Sequence, residues 1–215
     1  MKRPPEYGEV LIDLDIPPVS QQARGEVKQA FQEAVRQRLI PFQFLLTGEV
    51  SISVEWSANE WDRYETDRSP DVDNILKPLM DALTGPSGIV IDDNQVQRVS
   101  CHWVHTASKG ERLAITIGYH PDEWFNRAGL YFVQLDGALC IPISSDMPEE
   151  FQAVVIERYQ DALRLRREAV ERGIDYETAS VIMPTQRMFH RTRLRDFRVL
   201  SLDEFNQLHA NARKA

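Results

Sequence analysis

Five residues in the first half of the chain have side chains suited to phosphate chemistry. Asp71 and Asp73 lie two positions apart, Lys77 follows four residues later, and Asp92 and Asp93 come after a glycine-containing turn. Carboxylates that converge repel one another, and they stay ionised together only around a cation. Mg²⁺ prefers such oxygen ligands, polarises phosphoryl oxygens and activates water. The residue types therefore predict metal-assisted hydrolysis of a phosphodiester.

The local backbone decides how these side chains point. In extended backbone, residues two apart point the same way, so we expect Asp71 and Asp73 to lie side by side. Asp73 also fits the N-cap of a helix that runs to about Thr84, with Lys77 on the same helical face. A plain acidic turn with an exposed Asp73–Lys77 ion pair fits the same spacing. A calcium loop does not fit, because Leu76 stands where that loop needs glycine.

The surrounding sequence predicts the elements that hold these residues. Alternating apolar residues predict strands at about 9–16, 50–56, 99–103 and 113–117. Apolar residues at helical spacing predict one helix after the candidate N-cap Ser20 and another after Asp73. The order β-α-β-α-β-β predicts an α+β fold, a small mixed β-sheet with helices packed on it.

The chain changes in character after residue 119. A hairpin is expected around Asp136 and Gly137, and a long amphipathic helix after Pro148. Ser201 and Glu204 form a capping-box pattern at the start of a last helix. We therefore divide the chain into a core at residues 1–119 and a C-terminal hairpin and helical extension at residues 120–215.

Composition narrows the class of protein. The 215 residues are 42% hydrophobic and 27% charged, which indicates a folded globular chain. No apolar run approaches the roughly 18 residues of a membrane span, and two cysteines cannot form a disulfide framework, so we expect a soluble cytoplasmic protein. The net charge of −8 argues against a generic nucleic-acid binder, so any contact with DNA must use a local patch or bound cations.

One local cluster of arginines stands out in this acidic chain. Residues 186–198 contain five arginines and one aspartate, interleaved with aromatic residues. Guanidinium groups bind phosphates through paired hydrogen bonds, and aromatic rings stack on bases. The alternative is that these arginines pair with acidic residues of the protein itself. The candidate DNA contacts are Arg187, Arg191, Arg193, Arg195 and Arg198.

The residues around the acids resemble the RusA family of Holliday junction resolvases. The similar segments are residues 71–77, 81–84 and 92–96, together with Gly88 and the hairpin segment 108–113. The resemblance covers about residues 8–119 in the order of strands and helices. Residues 120–215 have no counterpart in it.

The resemblance implies a homodimeric endonuclease that uses Mg²⁺, or alternatively Mn²⁺, and nicks branched DNA symmetrically. The family's metal-binding acids correspond to Asp71, Asp73 and Asp93, and its essential lysine to Lys77. Whether the neighbouring Asp92 also contributes stays open. A dimer would place one site on each opposing strand. The alternatives are a non-catalytic RusA-like DNA-binding or interaction protein, which the acidic balance and the unfamiliar extension keep open, and a metal-dependent hydrolase of another phosphodiester.

Overall fold

The chain folds into two compact units, Met1–Arg127 and Ala128–Ala215. They are seen in a computed structural model that describes residues 1–67, 69–107, 110–194 and 196–212. None of the helices within these residues is long and apolar enough to cross a membrane.

The first unit contains the predicted core. Its elements in chain order are β1 (Glu9–Leu14), α1 (Gly25–Leu39), β2 (Phe44–Leu46), β3 (Val50–Ala58), α2 (Glu60–Tyr64), α3 (Leu76–Leu83), β4 (Val96–His105), β5 (Arg112–Tyr119) and β6 (Trp124–Asn126). The four predicted strands are β1, β3, β4 and β5, and the two predicted helices are α1 and α3. The α+β fold class is confirmed.

The four long strands form one mixed sheet in the order β1-β5-β3-β4. β3 and β4 run parallel, whereas β5 runs antiparallel to both β1 and β3. A parallel pair needs a crossover connection, and here residues 59–95 supply it with α2 and α3. All five residues with candidate phosphate chemistry lie in this crossover.

The core of the first unit lies between one face of the sheet and the helices. β3 alternates strictly along its length, so Ile52, Val54 and Trp56 are buried and the residues between them are more exposed. α1 and α3 pack against each other and bury Val35 and Leu79 in the same core. The crossover that carries the candidate site is therefore fixed on its apolar side.

Helix α1 begins later than the sequence predicts. Its first residue is Gly25, and the residue at its N-cap position, Arg24, makes no capping hydrogen bond through its side chain. The Ser20 hydroxyl instead accepts the Gln22 amide at 3.1 Å, in a turn closed by serine's own side chain. The prediction that Ser20 caps the helix is wrong, because the local turn competes for the same hydroxyl.

A second, two-stranded sheet keeps residues 120–127 with the first unit. β2 and β6 pair antiparallel, and the Arg127 guanidinium that follows β6 donates hydrogen bonds to backbone carbonyls that include those of Phe42 and Gly88. Burial lowers the pKa of this guanidinium from its ordinary value. The domain boundary at residue 119 stays a prediction. The two compact units of the structure divide after Arg127, which ends the first unit.

The second unit is an antiparallel hairpin extended by two short strands and covered by helices. Its elements are β7 (Leu130–Asp136), β8 (Leu139–Ser144), α4 (Glu149–Glu171), α5 (Tyr176–Ser180), β9 (Phe189–His190), β10 (Val199–Ser201) and α6 (Leu202–Ala212). The strand order is β10-β7-β8-β9. The predicted hairpin turns at Gly137, whose φ of 52° favours glycine.

The predicted capping box at the last helix is present. The Glu204 amide donates to the Ser201 hydroxyl at 3.2 Å, and the Ser201 amide donates to the Glu204 carboxylate at 2.7 Å. The Ser201 amide holds the pKa of Glu204 below its ordinary value. The predicted long helix after Pro148 is α4, and Pro148 takes its N-cap position.

Candidate active site

The segment that carries Asp71 and Asp73 is a turn, where we expected extended backbone. The Asn74 amide donates to the Asp71 carbonyl at 3.1 Å, and the Leu76 amide donates to the Asp73 carbonyl at 3.3 Å. Aspartate and asparagine favour such turns, because their short polar side chains bond easily to nearby backbone. The expectation of extended backbone is wrong here. Both carboxylates are exposed on the turn.

Lys77 lies in the first turn of α3, and its ion pair runs along the helix away from Asp73. Its Nζ atom contacts Asp81 Oδ1 at 2.6 Å, one helical turn further on. The N-cap position of α3 belongs to Ile75, which makes no side-chain cap, so the prediction that Asp73 caps the helix is wrong. Asp73 precedes the helix, whereas Asp81 lies inside it at the spacing where helical neighbours meet.

The Lys77–Asp81 pair serves orientation more than stability. The two side chains are 52% and 42% exposed, so the pair adds less than about 1 kcal/mol to the free energy of unfolding. It does hold the flexible lysine stem in one direction. Asp81 was not singled out as a site residue from the sequence, although its i+4 spacing from Lys77 was the available signal.

Asp92 and Asp93 lie at a corner closed by a short 3₁₀ helix, Asp93–Gln95. Asp92 Oδ1 accepts the Asn94 amide at 3.0 Å, which makes Asp92 the N-cap of this helix. Asp93 is its first residue and is exposed. Asp92 therefore has a clear structural role, and Asp93 is presented to solvent at the start of β4.

Gln95 holds the acidic corner in place. Its side chain is buried, and its Oε1 atom accepts the backbone amides of Ile91 and Asp92 at 2.7 and 3.0 Å. Its Nε2 atom donates to the carbonyls of Leu46 and Gly48 at 2.9 and 2.7 Å. Sequence reasoning assigned Gln95 no role, although the Asp-x-x-Gln capping pattern that starts at Asp92 was a usable signal.

The charge of Lys77, in α3, interacts with the carboxylates of the acidic corner. The pKa of Lys77 is raised, first by its hydrogen bond to Asp81 and further by the negative charges of Asp81, Asp93 and Asp92, while partial burial opposes the shift. Asp92 and Asp93 are therefore close enough to act on the Lys77 ammonium. In this crossover the Lys77 ammonium is paired with Asp81 and lies within electrostatic reach of Asp92 and Asp93.

The donors available for a metal ion are carboxylates, which suit a hard divalent cation such as Mg²⁺. Across the part of the chain that the structure describes, the Asp71 and Asp73 carboxylates form no ion pair. Within those same residues, no three histidine, cysteine, aspartate or glutamate side chains form a ready-made metal cluster. Mutual repulsion between carboxylates favours such separation. The donor chemistry fits the ion, and the convergence of Asp71, Asp73 and Asp93 stays a prediction.

The arginine cluster lies in the second unit. Arg187 precedes β9, Arg191 and Arg193 occupy a 3₁₀ turn after it, and Arg198 precedes β10. The Arg198 guanidinium lies 5.8 Å from the centre of the Tyr131 ring. Arg187, Arg193 and Arg198 are exposed and Arg191 is half-buried. Arg195 of this cluster and Ser108 and Lys109 of the hairpin segment lie outside the described residues.

A half-buried carboxylate supports the sheet end from which the crossover starts. The Trp56 indole N–H donates to Glu111 Oε2 at 2.8 Å. Burial raises the pKa of Glu111 above its ordinary value of 4.5, and the nearby Asp62 charge raises it further, while the bond from Trp56 and the charge of Arg63 oppose the shift. The surroundings of Glu111 therefore disfavour the ionised form of its side chain.

Replacing Glu111 with Gln should raise the melting temperature at pH 7. The pKa of this carboxyl is higher in the folded state than in the unfolded state. It therefore stabilises the folded state at a pH below its unfolded-state pKa, and this stabilisation is lost as the pH rises through its folded-state pKa. Gln keeps the acceptor for Trp56 and cannot ionise. The gain in melting temperature should therefore vanish below about pH 4, where the wild-type carboxyl is protonated. Thermal melts of Glu111→Gln against exposed Glu9→Gln check this, and a gain that persists at low pH would contradict it.

Fold and site define the class of this domain: an α+β domain whose crossover gathers an oriented lysine and several carboxylates. Residues 14–118 match the family model described as endodeoxyribonuclease RusA. The match covers just under half of the chain and lies within the first unit. The family acts on branched DNA, so the general activity is that of a Holliday junction endonuclease. No curated protein matches the chain significantly.

Proposed function

We propose that the chain is an Mg²⁺-dependent endonuclease that nicks opposing strands of a four-way DNA junction as a homodimer. The observation that carries this proposal is the position of Lys77, which is paired with Asp81 and lies within electrostatic reach of Asp92 and Asp93, in the crossover of a RusA-like domain. Mn²⁺, which accepts similar oxygen ligands, is the alternative ion.

Each group in the crossover then has a chemical role. Asp71, Asp73 and Asp93 hold the ion through their carboxylates. The bound ion supplies an activated water and charge at the phosphoryl oxygens. Lys77, oriented by Asp81, stabilises the negative charge that develops on the phosphoryl group as the bond breaks. Gln95 keeps the acidic corner from shifting, since its side chain bonds the backbone of Ile91 and Asp92 on one side and that of Leu46 and Gly48 on the other.

The test of the activity compares three DNA substrates with and without divalent ions. We expect paired nicks in opposing strands of a synthetic four-way junction with Mg²⁺, and no cleavage after EDTA is added. Duplex and flap DNA of the same sequences should stay intact. Junction binding without cleavage in either Mg²⁺ or Mn²⁺ would identify a non-catalytic DNA-binding protein instead.

The assembly should be a homodimer, because one subunit has one set of site residues and symmetric nicking needs two. Light scattering at micromolar concentration should give a mass of roughly twice the 24.8 kDa of one chain. A single species at the monomer mass would contradict symmetric nicking by a stable dimer.

The arginine cluster should contribute to DNA binding through phosphate contacts. Each phosphate contact releases counterions from the DNA. In the double variant Arg191→Ala/Arg193→Ala, a plot of the logarithm of the junction-binding constant against the logarithm of the salt concentration should therefore be less steep, by up to about 1.8 in slope. Junction affinity should fall most at low salt. Both quantities follow from titrations at several salt concentrations.

The matched control removes two arginines of α4, which lie outside the cluster. Arg164 contacts Asp161 and Glu168, and Arg167 contacts Asp136, all within the second unit. Arg164→Ala/Arg167→Ala changes the net charge equally but should leave the slope nearly unchanged. Equal slopes in both double variants would assign the cluster to structure.

A further inference from the structure

The start of the turn that carries the candidate metal ligands is attached to a single arginine. The Arg63 guanidinium donates a hydrogen bond to the carbonyl of Pro70, the residue directly before Asp71. It also donates to the Ser69 hydroxyl at 3.4 Å. Proline has no amide hydrogen, so its carbonyl is the backbone group by which this point can be anchored. The position of Asp71 therefore depends on where Arg63 is held.

Arg63 is held on a shelf of two tryptophans. Trp56 and Trp103 are direct neighbours in the parallel register of β3 and β4, so their side chains lie side by side on one face of the sheet. The Arg63 guanidinium carbon lies 5.1 Å from the centre of the Trp56 ring and 5.8 Å from that of Trp103. Both distances are within the range of cation–π attraction.

The shelf is itself fixed on both sides. Trp56 is fully buried, and its indole N–H is bound to Glu111. Tyr64 packs edge-on against Trp103, with the ring centres 5.7 Å apart and the planes at 73°. An aromatic pair in this geometry resists rotation of either ring. Arg63 thus links a rigid sheet end to a surface turn.

We propose that Arg63 is a positioning residue that fixes the Asp71–Asp73 turn relative to the sheet, an inference that rests on the proposed function of that turn. The guanidinium suits this task because its flat face stacks on the indoles while its edge donates to the Pro70 carbonyl. A lysine in its place keeps the charge but cannot stack and donate in this way. Arg63 itself does not touch the reacting groups.

The experiment compares Arg63→Lys and Arg63→Met with the wild type and with Arg38→Lys, an exposed arginine of α1. Hydrogen–deuterium exchange of the peptide at residues 69–76 reports the turn, because the Asn74 and Leu76 amides are hydrogen-bonded there. We expect about tenfold faster exchange in both Arg63 variants, confined to this peptide. Thermal melts establish that each variant is folded.

Junction cleavage gives the second readout. A ligand displaced by a small distance lowers kcat steeply, so we expect a loss of about tenfold to a hundredfold in kcat with an unchanged KM. Arg38→Lys should match the wild type in both readouts. The proposal is overturned if exchange at residues 69–76 is unchanged, if it rises equally across the first unit, or if an active wild type and the Arg63 variants share one kcat. An inactive wild type would defeat the proposed function alone, and the exchange data would still decide whether Arg63 fixes the turn.

Discussion

Junction cleavage should fall by more than about a hundredfold in each of three variants, Asp71→Asn, Asp73→Asn and Asp93→Asn. Even the loss of a residue that only hydrogen-bonds to a metal ligand lowers metal affinity or activity by roughly 10–100-fold. Asn keeps the shape of the side chain and one carbonyl oxygen, but it removes the charge that attracts a divalent cation. All three positions are exposed, so the fold and much of the junction binding should survive. The free energy of unfolding without metal should stay level or rise, because one repelling carboxylate is gone.

The measurement pairs nicking assays with thermal melts at increasing Mg²⁺. An ion that binds the folded state raises the melting temperature of the wild type, and weaker binding reduces this rise in each variant. Asp122→Asn, an exposed carboxylate in the turn before β6, removes the same charge and should match the wild type. Full nicking by Asp71→Asn and Asp93→Asn would defeat the proposed site. Equal Mg²⁺ stabilisation in the variants and the wild type would count against it.

The sheet of the first unit was predictable because one of its faces is buried. Alternation at Ile52, Val54 and Trp56 encodes both the strand and the side that faces the core. The strands β2 and β6 were not predicted. Each has only three residues, which is too short to show an alternation of apolar and polar side chains. Helix α2 was not predicted, because five residues are too few to show helical periodicity.

The candidate site was predictable in its chemistry and only partly in its geometry. Residue types and order indicated which acids and which lysine to examine. Backbone geometry in a turn depends on local competition for hydrogen bonds, and here it favoured the carbonyls of Asp71 and Asp73 over an extended segment with a capped helix. The contacts of Gln95 with Leu46 and of Arg63 with Trp103 join residues far apart in the chain. The spacing of residues along the sequence cannot predict such long-range contacts.

Lys77→Met should lower kcat for junction cleavage by about 10²–10³, the size of effect seen when one preorganised charge donor is removed. The physical reason is that the Lys77 ammonium, held by Asp81, supplies positive charge where the phosphoryl group becomes more negative. Its pKa is raised by the same carboxylates, so it is fully charged at the pH of the assay. Met retains the length of the stem and removes only the charge and its hydrogen bonds.

The same substitution should strengthen divalent-ion binding, which separates the role of Lys77 from that of the acids. The ammonium repels a cation held near Asp92 and Asp93, so its loss should increase the Mg²⁺-induced rise in melting temperature. Asp81→Ala is the companion variant, because it leaves the charge of Lys77 but removes the acceptor that fixes its direction, and we expect a loss of only about tenfold in kcat. If Lys77→Met lost Mg²⁺ stabilisation together with cleavage, Lys77 would instead help to build the metal site. Full cleavage by Lys77→Met would remove it from the mechanism altogether.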